Sequence, residues 1–342
     1  MSAAPVSPDH IMQVGLGFWA SKTLLSAVEL ELFTRLAEGP KTGGEIERAL
    51  GLNPRGTADF LDSLVALGLL ERSGEGAGAR YANTPATDVF LDKKKPSYIG
   101  GILEMANARL YPFWADLTEA LKTGKPQNES KRGGRGLFEE LYEDPARLEQ
   151  FMDAMSGASA GNFMAFAEKF DFSKYKTLAD VGGAAGLLAS FVARRHPHMT
   201  CVSYDLPGVT AIAKKRLATG DVAARATAET LDFFNDPLPK ADVITMGMIL
   251  HDWGLETKKM LIGKAYAALP EGGAFVAIEQ LIDDARRKNA TGLLMSLNML
   301  IETPEGFDYT GVQFAEWCKD AGFRRSEVIP LVGAGSAAVA YK

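Results

Sequence analysis

The 342-residue sequence predicts an α/β protein preceded by a mainly helical N-terminal part, on three observations. From residue 176 to the C-terminus, short apolar runs alternate with helical patterns across short connections, which implies a mostly parallel sheet with ligands at the C-terminal ends of its strands. One of those runs, Thr177-Leu178-Ala179-Asp180-Val181, opens directly into Gly182-Gly183-Ala184-Ala185-Gly186 and then an amphipathic helical pattern. That strand, tight turn and helix opening is Rossmann-like, and it places backbone N–H groups and a helix N-terminus around a ligand. Before residue 110, three helical segments are followed by a hairpin, a winged-helix arrangement.

Each element has its own warrant. Residues 10–38 carry apolar side chains at three- and four-residue steps, among them Ile11, Val14, Phe18, Leu25, Val28, Leu32 and Leu36, and read as one long helix. Residues 42–51 form a short helix with a glycine stop, and Asn53-Pro54 opens another that runs to Gly68. Residues 69–72 and 80–83 flank a Gly/Ala/Ser tip and form the hairpin. Residues 97–169 are helical apart from a polar stretch at 122–135, with helical patterns resuming at 136–141 and 145–167. Met152, Met155 and Met164 lie on that last segment, where a methionine-bearing face is more often core than pocket. Further strands follow at 201–205, 223–228, 242–248, 274–281, 326–331 and 337–341, and helices at 209–217, 256–269 and 312–321.

Composition narrows the function. The chain is 46% hydrophobic and 23% charged, an ordinary globular balance, and its net charge of −6 argues against a nucleic-acid partner. A winged helix invites the idea of DNA binding, but residues 1–110 hold 11 Lys and Arg against 13 Asp and Glu, and the candidate recognition helix offers Arg55 beside Asp59 and Asp62. Dimerisation is the preferred role. Cys201 and Cys318 are far apart and form no metal or disulfide pattern. The N-terminus lacks a signal-peptide pattern and no apolar run is long enough to span a bilayer, so a cytoplasmic protein without a membrane partner is expected.

Three features fall where strands should end. The first is the glycine turn with Asp180, joined by Asp205 at the end of the next strand, about 20 residues on, where such sites place a ribose-binding carboxylate. The second is Leu231-Asp232-Phe233-Phe234, an acid able to accept from an adenine amino group beside aromatics able to cover the ring. The third is Met248-Ile249-Leu250-His251-Asp252-Trp253. The chain has only four histidines, and His251 alone sits at a strand's C-terminal end, where an imidazole is placed for general-base work.

With those residues in view, the chain resembles the class I S-adenosylmethionine-dependent O-methyltransferases of the caffeate/hydroxyindole type, in their bacterial small-molecule branch. Asp180-Val181-Gly182-Gly183-Ala184-Ala185-Gly186 is similar to the family's Asp-Val-Gly-Gly-Gly-x-Gly, with Ala184 in place of the third glycine. Asp205-Leu206-Pro207, Asp232-Phe233-Phe234 and His251-Asp252-Trp253 are similar to its Asp-Leu-Pro, Gly-Asp-Phe-Phe and His-Asp-Trp motifs. The resemblance covers nearly the whole chain. It implies a winged-helix dimerisation domain at 1–110, a helical linker contributing to the pocket at 111–175 and a seven-stranded, Rossmann-like catalytic domain at 176–342.

The resemblance also implies site residues. His251 would be the catalytic base, with Glu279 and Asp308 holding its orientation; Asp308 stands where the family generally has glutamate. S-adenosyl-L-methionine would be held by Met155, Ser159, Asp180, Gly182, Gly183, Gly186, Asp205, Leu206, Asp232 and Phe233. Asp252, Asn298 and Met299 would line the acceptor pocket, and no resident metal is implied. The family's lysine near the adenine, four residues before the base, is Gly247 here, so that contact is absent or replaced. The expected reaction is methylation of a hydroxyl on a small aromatic or polycyclic metabolite by a homodimer. Two alternatives stay open at this level: methylation of carbon or nitrogen, with His251, Asp252 and Glu302 holding a metal against an enolisable keto acid, and a non-enzymatic ligand-sensing regulator.

Overall fold

The computed structural model describes residues 6–133 and 145–342, with the side chains of Arg132 and residues 145–147 left aside. The helical pattern expected at 136–141 therefore lies outside the described residues. The chain divides into two compact units, Met1–Pro112 and Phe113–Lys342.

In the first unit, the helix expected at 10–38 is three: Asp9–Gly15, Gly17–Glu29 and Leu32–Leu36. Glu31 breaks it, adopting a left-handed φ of 54° at the entry to the third. A two-residue strand β1 (Lys41–Thr42) leads into the helix Gly43–Leu50, whose Thr42–Glu45 capping box satisfies two end groups. Asn53 caps the next helix, Pro54–Ala66, which has proline in its first turn. The hairpin pairs β2 (Leu70–Ser73) with β3 (Arg80–Asn83), and β1 adds to β3 to give the order β1-β3-β2. Its core is Val28, Leu32, Phe33, Ile46, Leu61, Leu64 and Tyr81. On the helix that would read DNA, Arg55 and Asp59 are exposed and Asp62 is engaged by Arg72 and Tyr81, so no basic face forms.

The second unit is built on a seven-stranded sheet of order β6-β5-β4-β7-β8-β10-β9. Its strands are β4 (Thr177–Val181), β5 (Thr200–Asp205), β6 (Ala226–Thr230), β7 (Val243–Gly247), β8 (Ala274–Glu279), β9 (Arg325–Pro330) and β10 (Ser336–Tyr341). The first five are parallel; β10 runs antiparallel to both β8 and β9. Two apolar clusters cover its two faces. One holds Phe166, Phe172, Leu188, Val192 and Val276; the other holds Ile244, Met246, Leu261, Phe275 and Phe314. Every residue of β8 is buried, as befits a central strand covered on both faces. Strand order reverses direction about β4 and β7, which opens a crevice at their C-terminal ends.

Candidate active site

Strand β4 brings Asp180 to that crevice. Asp180 is buried, and its Oδ1 accepts the Thr245 hydroxyl of β7 at 2.8 Å. Burial pushes its carboxyl up to about 7, opposed by Thr245 and reinforced by the charge of Asp205. Gly182 has φ 71°, and a Cβ there would lie 2.4 Å from Ile249 Cδ1; at Gly183 it would lie 2.3 Å from Ser203 Oγ. Glycine is needed at both for close approach. Four N–H groups of this turn are already used. Gly182 and Gly183 donate to the Tyr204 carbonyl at 2.8 and 3.2 Å, Gly186 to the Gly183 carbonyl at 2.9 Å, and Ala184 to Asp205 Oδ2 at 3.0 Å. The expectation that this turn places backbone N–H groups around a ligand is thus corrected for these four residues, whose N–H groups bond within the protein; the missing Cβ atoms at Gly182 and Gly183 make room for Ile249 and Ser203.

Asp205, at the end of β5, also accepts the Leu206 N–H at 2.8 Å, and burial raises its carboxyl against these two hydrogen bonds. The helix Pro145–Lys169 reaches the glycine turn through Leu148 and Met152, which pack on Ala185 and Val209. Met152 is therefore core, Ser159 is buried and Met155 half-buried, while Met164 is exposed. One turn beyond Ser159 comes Phe163, whose ring would lie 2.9 Å from a Cβ on Gly247. An aromatic ring thus packs where the resemblance implied a lysine stem.

The turn after β6 folds on itself. Asp232 accepts from the N–H of Phe234 at 2.9 Å and from Asn235 Nδ2 at 2.7 Å, and the Asn235 amide is the main cause holding its carboxyl low. Lys264 clamps the turn through the carbonyls of Phe233, Phe234 and Asp236. Phe234 meets Trp253 edge to face at 4.7 Å, which joins this turn to the His251 segment.

His251 is delivered by a sharp reversal. After β7, Met248 takes a left-handed φ of 56° and donates to the Ile278 carbonyl at 3.0 Å, and a single 3-10 turn, Leu250–Asp252, follows. The ring is 4% exposed, with Nδ1 3.4 Å from Asp308 Oδ1 and Nε2 3.5 Å from Asp252 Oδ1. Glu279 meets the main chain instead, accepting the His251 N–H at 3.0 Å. Burial opposes charge on the ring, but Asp252, Asp308 and Glu279 outweigh it and push the pKa up to about 9. Burial raises the Glu279 and Asp252 carboxyls, with His251 pulling the other way. The arrangement is an imidazole between two carboxylates, suited to taking up a proton.

The opposite wall is the helix Ala290–Glu302. Asn298 Oδ1 accepts the Trp114 indole N–H at 2.9 Å, Met299 is buried, and Ser296 Oγ accepts the Asp308 N–H at 3.1 Å. A Cβ on Gly306 would stand 2.7 Å from the His251 carbonyl and 2.8 Å from that of Asp252, so the loop wraps the 3-10 turn closely. Glu302 ends this helix, its carbonyl accepting from Asn128. Among the described residues, no group of three or more His, Cys, Asp and Glu side chains is disposed to hold a metal ion. His196 and His198 bond main-chain carbonyls at Ala167 and Phe172. Two residues beside the site are not among those the sequence points to: Phe163 and the fully buried Lys258. A lysine on the inner face of a helix was the only sequence signal for the last.

Comparison with known proteins agrees with this architecture. Residues 114–324 match an O-methyltransferase domain and residues 12–93 an O-methyltransferase dimerisation domain. The tetracenomycin polyketide synthesis 8-O-methyl transferase TcmO of Streptomyces glaucescens is 41% identical over 335 residues, covering 98% of this chain and 97% of that protein. The 3-hydroxy-5-methyl-1-naphthoate 3-O-methyltransferase of Streptomyces sahachiroi is 33% identical, covering 96% and 93%. The crystal structure of human N-acetylserotonin methyltransferase in complex with SAM superposes with a TM-score of 0.91 at 29% identity, covering 100% of this chain and 99% of that one. The chain therefore belongs to the S-adenosylmethionine-dependent O-methyltransferases that join an O-methyltransferase domain to an O-methyltransferase dimerisation domain.

Proposed function

We propose that this enzyme methylates a phenolic hydroxyl of an aromatic, polycyclic polyketide, with His251 as general base. The observation that carries the reading is the buried His251 ring held between Asp308 and Asp252 at the C-terminal end of the sheet. The acceptor class rests on the relatives that act in tetracenomycin and naphthoate chemistry.

The residues present fit the methyl donor: a carboxylate at the end of β5, an acid-aromatic turn at Asp232-Phe233, and an apolar, half-buried Met155. S-adenosylmethionine supplies an electrophilic methyl on a sulfonium. Asp205 and Leu206 would hold its ribose, Asp232 and Phe233 its adenine, and Asp180, Gly182, Gly183, Gly186, Met155 and Ser159 the remaining wall. His251 Nε2 takes the acceptor hydroxyl's proton as the oxygen becomes nucleophilic. Asp308 then holds the imidazolium through Nδ1, and Glu279 fixes the main chain of the turn that carries it. Asp252, Asn298 and Met299 would set the acceptor's position, which is where catalysis by alignment is decided.

The N-terminal unit is proposed to form a homodimer: Ile11, Val14, Phe18 and Trp19 on its first two helices are between 51% and 73% exposed, a large apolar surface for a free monomer. Among the described residues no helix is long and apolar enough to cross a membrane. Two buried free thiols, Cys201 and Cys318, fit a reducing cytoplasm.

The test is turnover by His251→Ala on a panel of polyhydroxylated naphthoates and anthraquinones, with the methylated atom located by NMR. Loss of turnover by about 100-fold or more with donor binding intact is expected for a lost general base. Turnover surviving in that variant, or methyl on carbon or nitrogen, overturns the assignment.

A further inference from the structure

Lys258 is fully buried, an arrangement rare for a lysine, and none of the proposed proton-transfer steps uses it. It sits in the first turns of the helix Leu255–Ala268, directly after the 3-10 turn that carries His251. Its Nζ donates to the carbonyl of Trp253, the residue that ends that turn. The same ammonium stands 3.6 Å from the centroid of the Phe307 ring and 5.8 Å from that of Tyr309, the two neighbours of Asp308. One cation therefore touches both segments whose separation sets the 3.4 Å distance between His251 Nδ1 and Asp308 Oδ1.

We infer that Lys258 is a positioning residue for the base: its ammonium ties the His251 turn to the Asp308 loop and counters the carboxylates gathered around the ring. The charges it faces are Asp252 on the turn, Glu279 on β8 and Asp308 on the loop, with Tyr309 and, behind it, Cys318 of the helix Gly311–Ala321 also within that cluster. Burial pushes the Lys258 ammonium down to about 8, while Glu279, Asp308 and Asp252 act to keep it charged. Among the described residues Glu279 Oε2 and both Asp308 carboxylate oxygens are buried without a hydrogen-bond partner, so the positive charge offsets part of their desolvation cost. Glu279 acts on the charges of both Lys258 and His251, which links the cation to the ring. A cation in that cluster makes the ring release its proton at lower pH, which favours the neutral form a base requires.

This inference rests on His251 being the base, and the experiment separates the two. Lys258→Met and Lys258→Arg are compared with wild type by folding, donor affinity and the pH profile of kcat, with His251→Ala as the control. Expected for Lys258→Met is a kcat at least 10-fold lower at pH 7 and an alkaline shift of the rising limb by half a pH unit or more, with Lys258→Arg restoring the limb. A Lys258→Met limb at the wild-type pH, with His251→Ala inactive, overturns the role of Lys258 and leaves the base intact; an active His251→Ala overturns the base itself. Should Lys258→Met not fold, the wild-type enzyme labelled with 15Nζ-lysine decides: one lysine signal with two inflections, one of them lost in His251→Gln, supports the coupling. A single ordinary lysine titration for every signal overturns it.

Discussion

Asp308 faces the ring of His251 at 3.4 Å while Glu279 holds only its main-chain N–H, at 3.0 Å, so two acids of the same cluster do different work. Glu279 stabilises the turn; Asp308 addresses the imidazole. The division follows from position: β8 runs beside β7 and meets the backbone as it leaves the sheet, whereas the Gly306 loop comes over the turn from the other side.

That split predicts two different kinetic losses. Asp308→Asn should lower kcat by about 10- to 100-fold with donor affinity and thermal stability near wild type, because the charge that stabilises the imidazolium is gone. Glu279→Gln should lower the unfolding midpoint, since a buried acceptor of the His251 N–H is weakened, with kcat falling as the turn loosens. Steady-state kinetics and thermal unfolding of both variants check this. Equal kcat losses with equal destabilisation would show that the acids are not divided as described.

The pH dependence has a definite sign. His251 is raised to about 9, so the neutral ring gains population only as pH rises, and kcat/KM should climb from pH 7 towards 9. Asp252 is the largest charge raising it, so Asp252→Asn should move the limb to lower pH. Linkage gives the matching stability effect. The folded value lies above the unfolded one of about 6.5, so this group's stabilisation is fully present below that pH and is lost as pH rises through about 9. Thermal unfolding of wild type and Asp252→Asn across pH 6 to 10 should converge at the alkaline end; parallel curves would rule this out.

Ala184 carries a conformation better suited to glycine, with φ 45°. Its N–H bond to Asp205 holds it there. Ala184→Gly should raise stability by about 0.5–1 kcal/mol, the left-handed strain relieved less the added flexibility of the unfolded chain. Denaturant titration measures it, and a destabilised variant would mean that the Cβ packs usefully in the turn.

Much of this site was legible because its motifs are local. A strand, an acid and a glycine turn are contiguous in residues 177–186, and Asp205, Asp232 and His251 each lie at or just after the end of their own strand. Once the alternation of strands and helices is read, parallel topology brings those ends to one edge of one sheet, and the four positions converge without any long-range information. The winged helix was legible for the same reason, through caps at Thr42 and Asn53 and a hairpin read from neighbouring residues. Of the two breaks missed, at Leu16 and at Glu31, the second is a left-handed residue that carries no glycine to mark it.

Tertiary packing decided the remainder. Whether the glycine-turn N–H groups are free depends on the Tyr204 carbonyl and Asp205, which belong to another strand and reach the turn only through the β4–β5 register. Which acid meets the ring depends on a glycine 55 residues beyond it, Gly306, that lets a loop close over two carbonyls. Phe163 takes the space beside Gly247 only because a distant helix crosses there, and Lys258 becomes part of the site only because its helix turns inward over Phe307. Backbone pattern obeys short-range sterics and periodicity, and so is written along the chain. The partner of a buried charge is chosen by what else is packed within a few ångströms, a property of the folded protein alone.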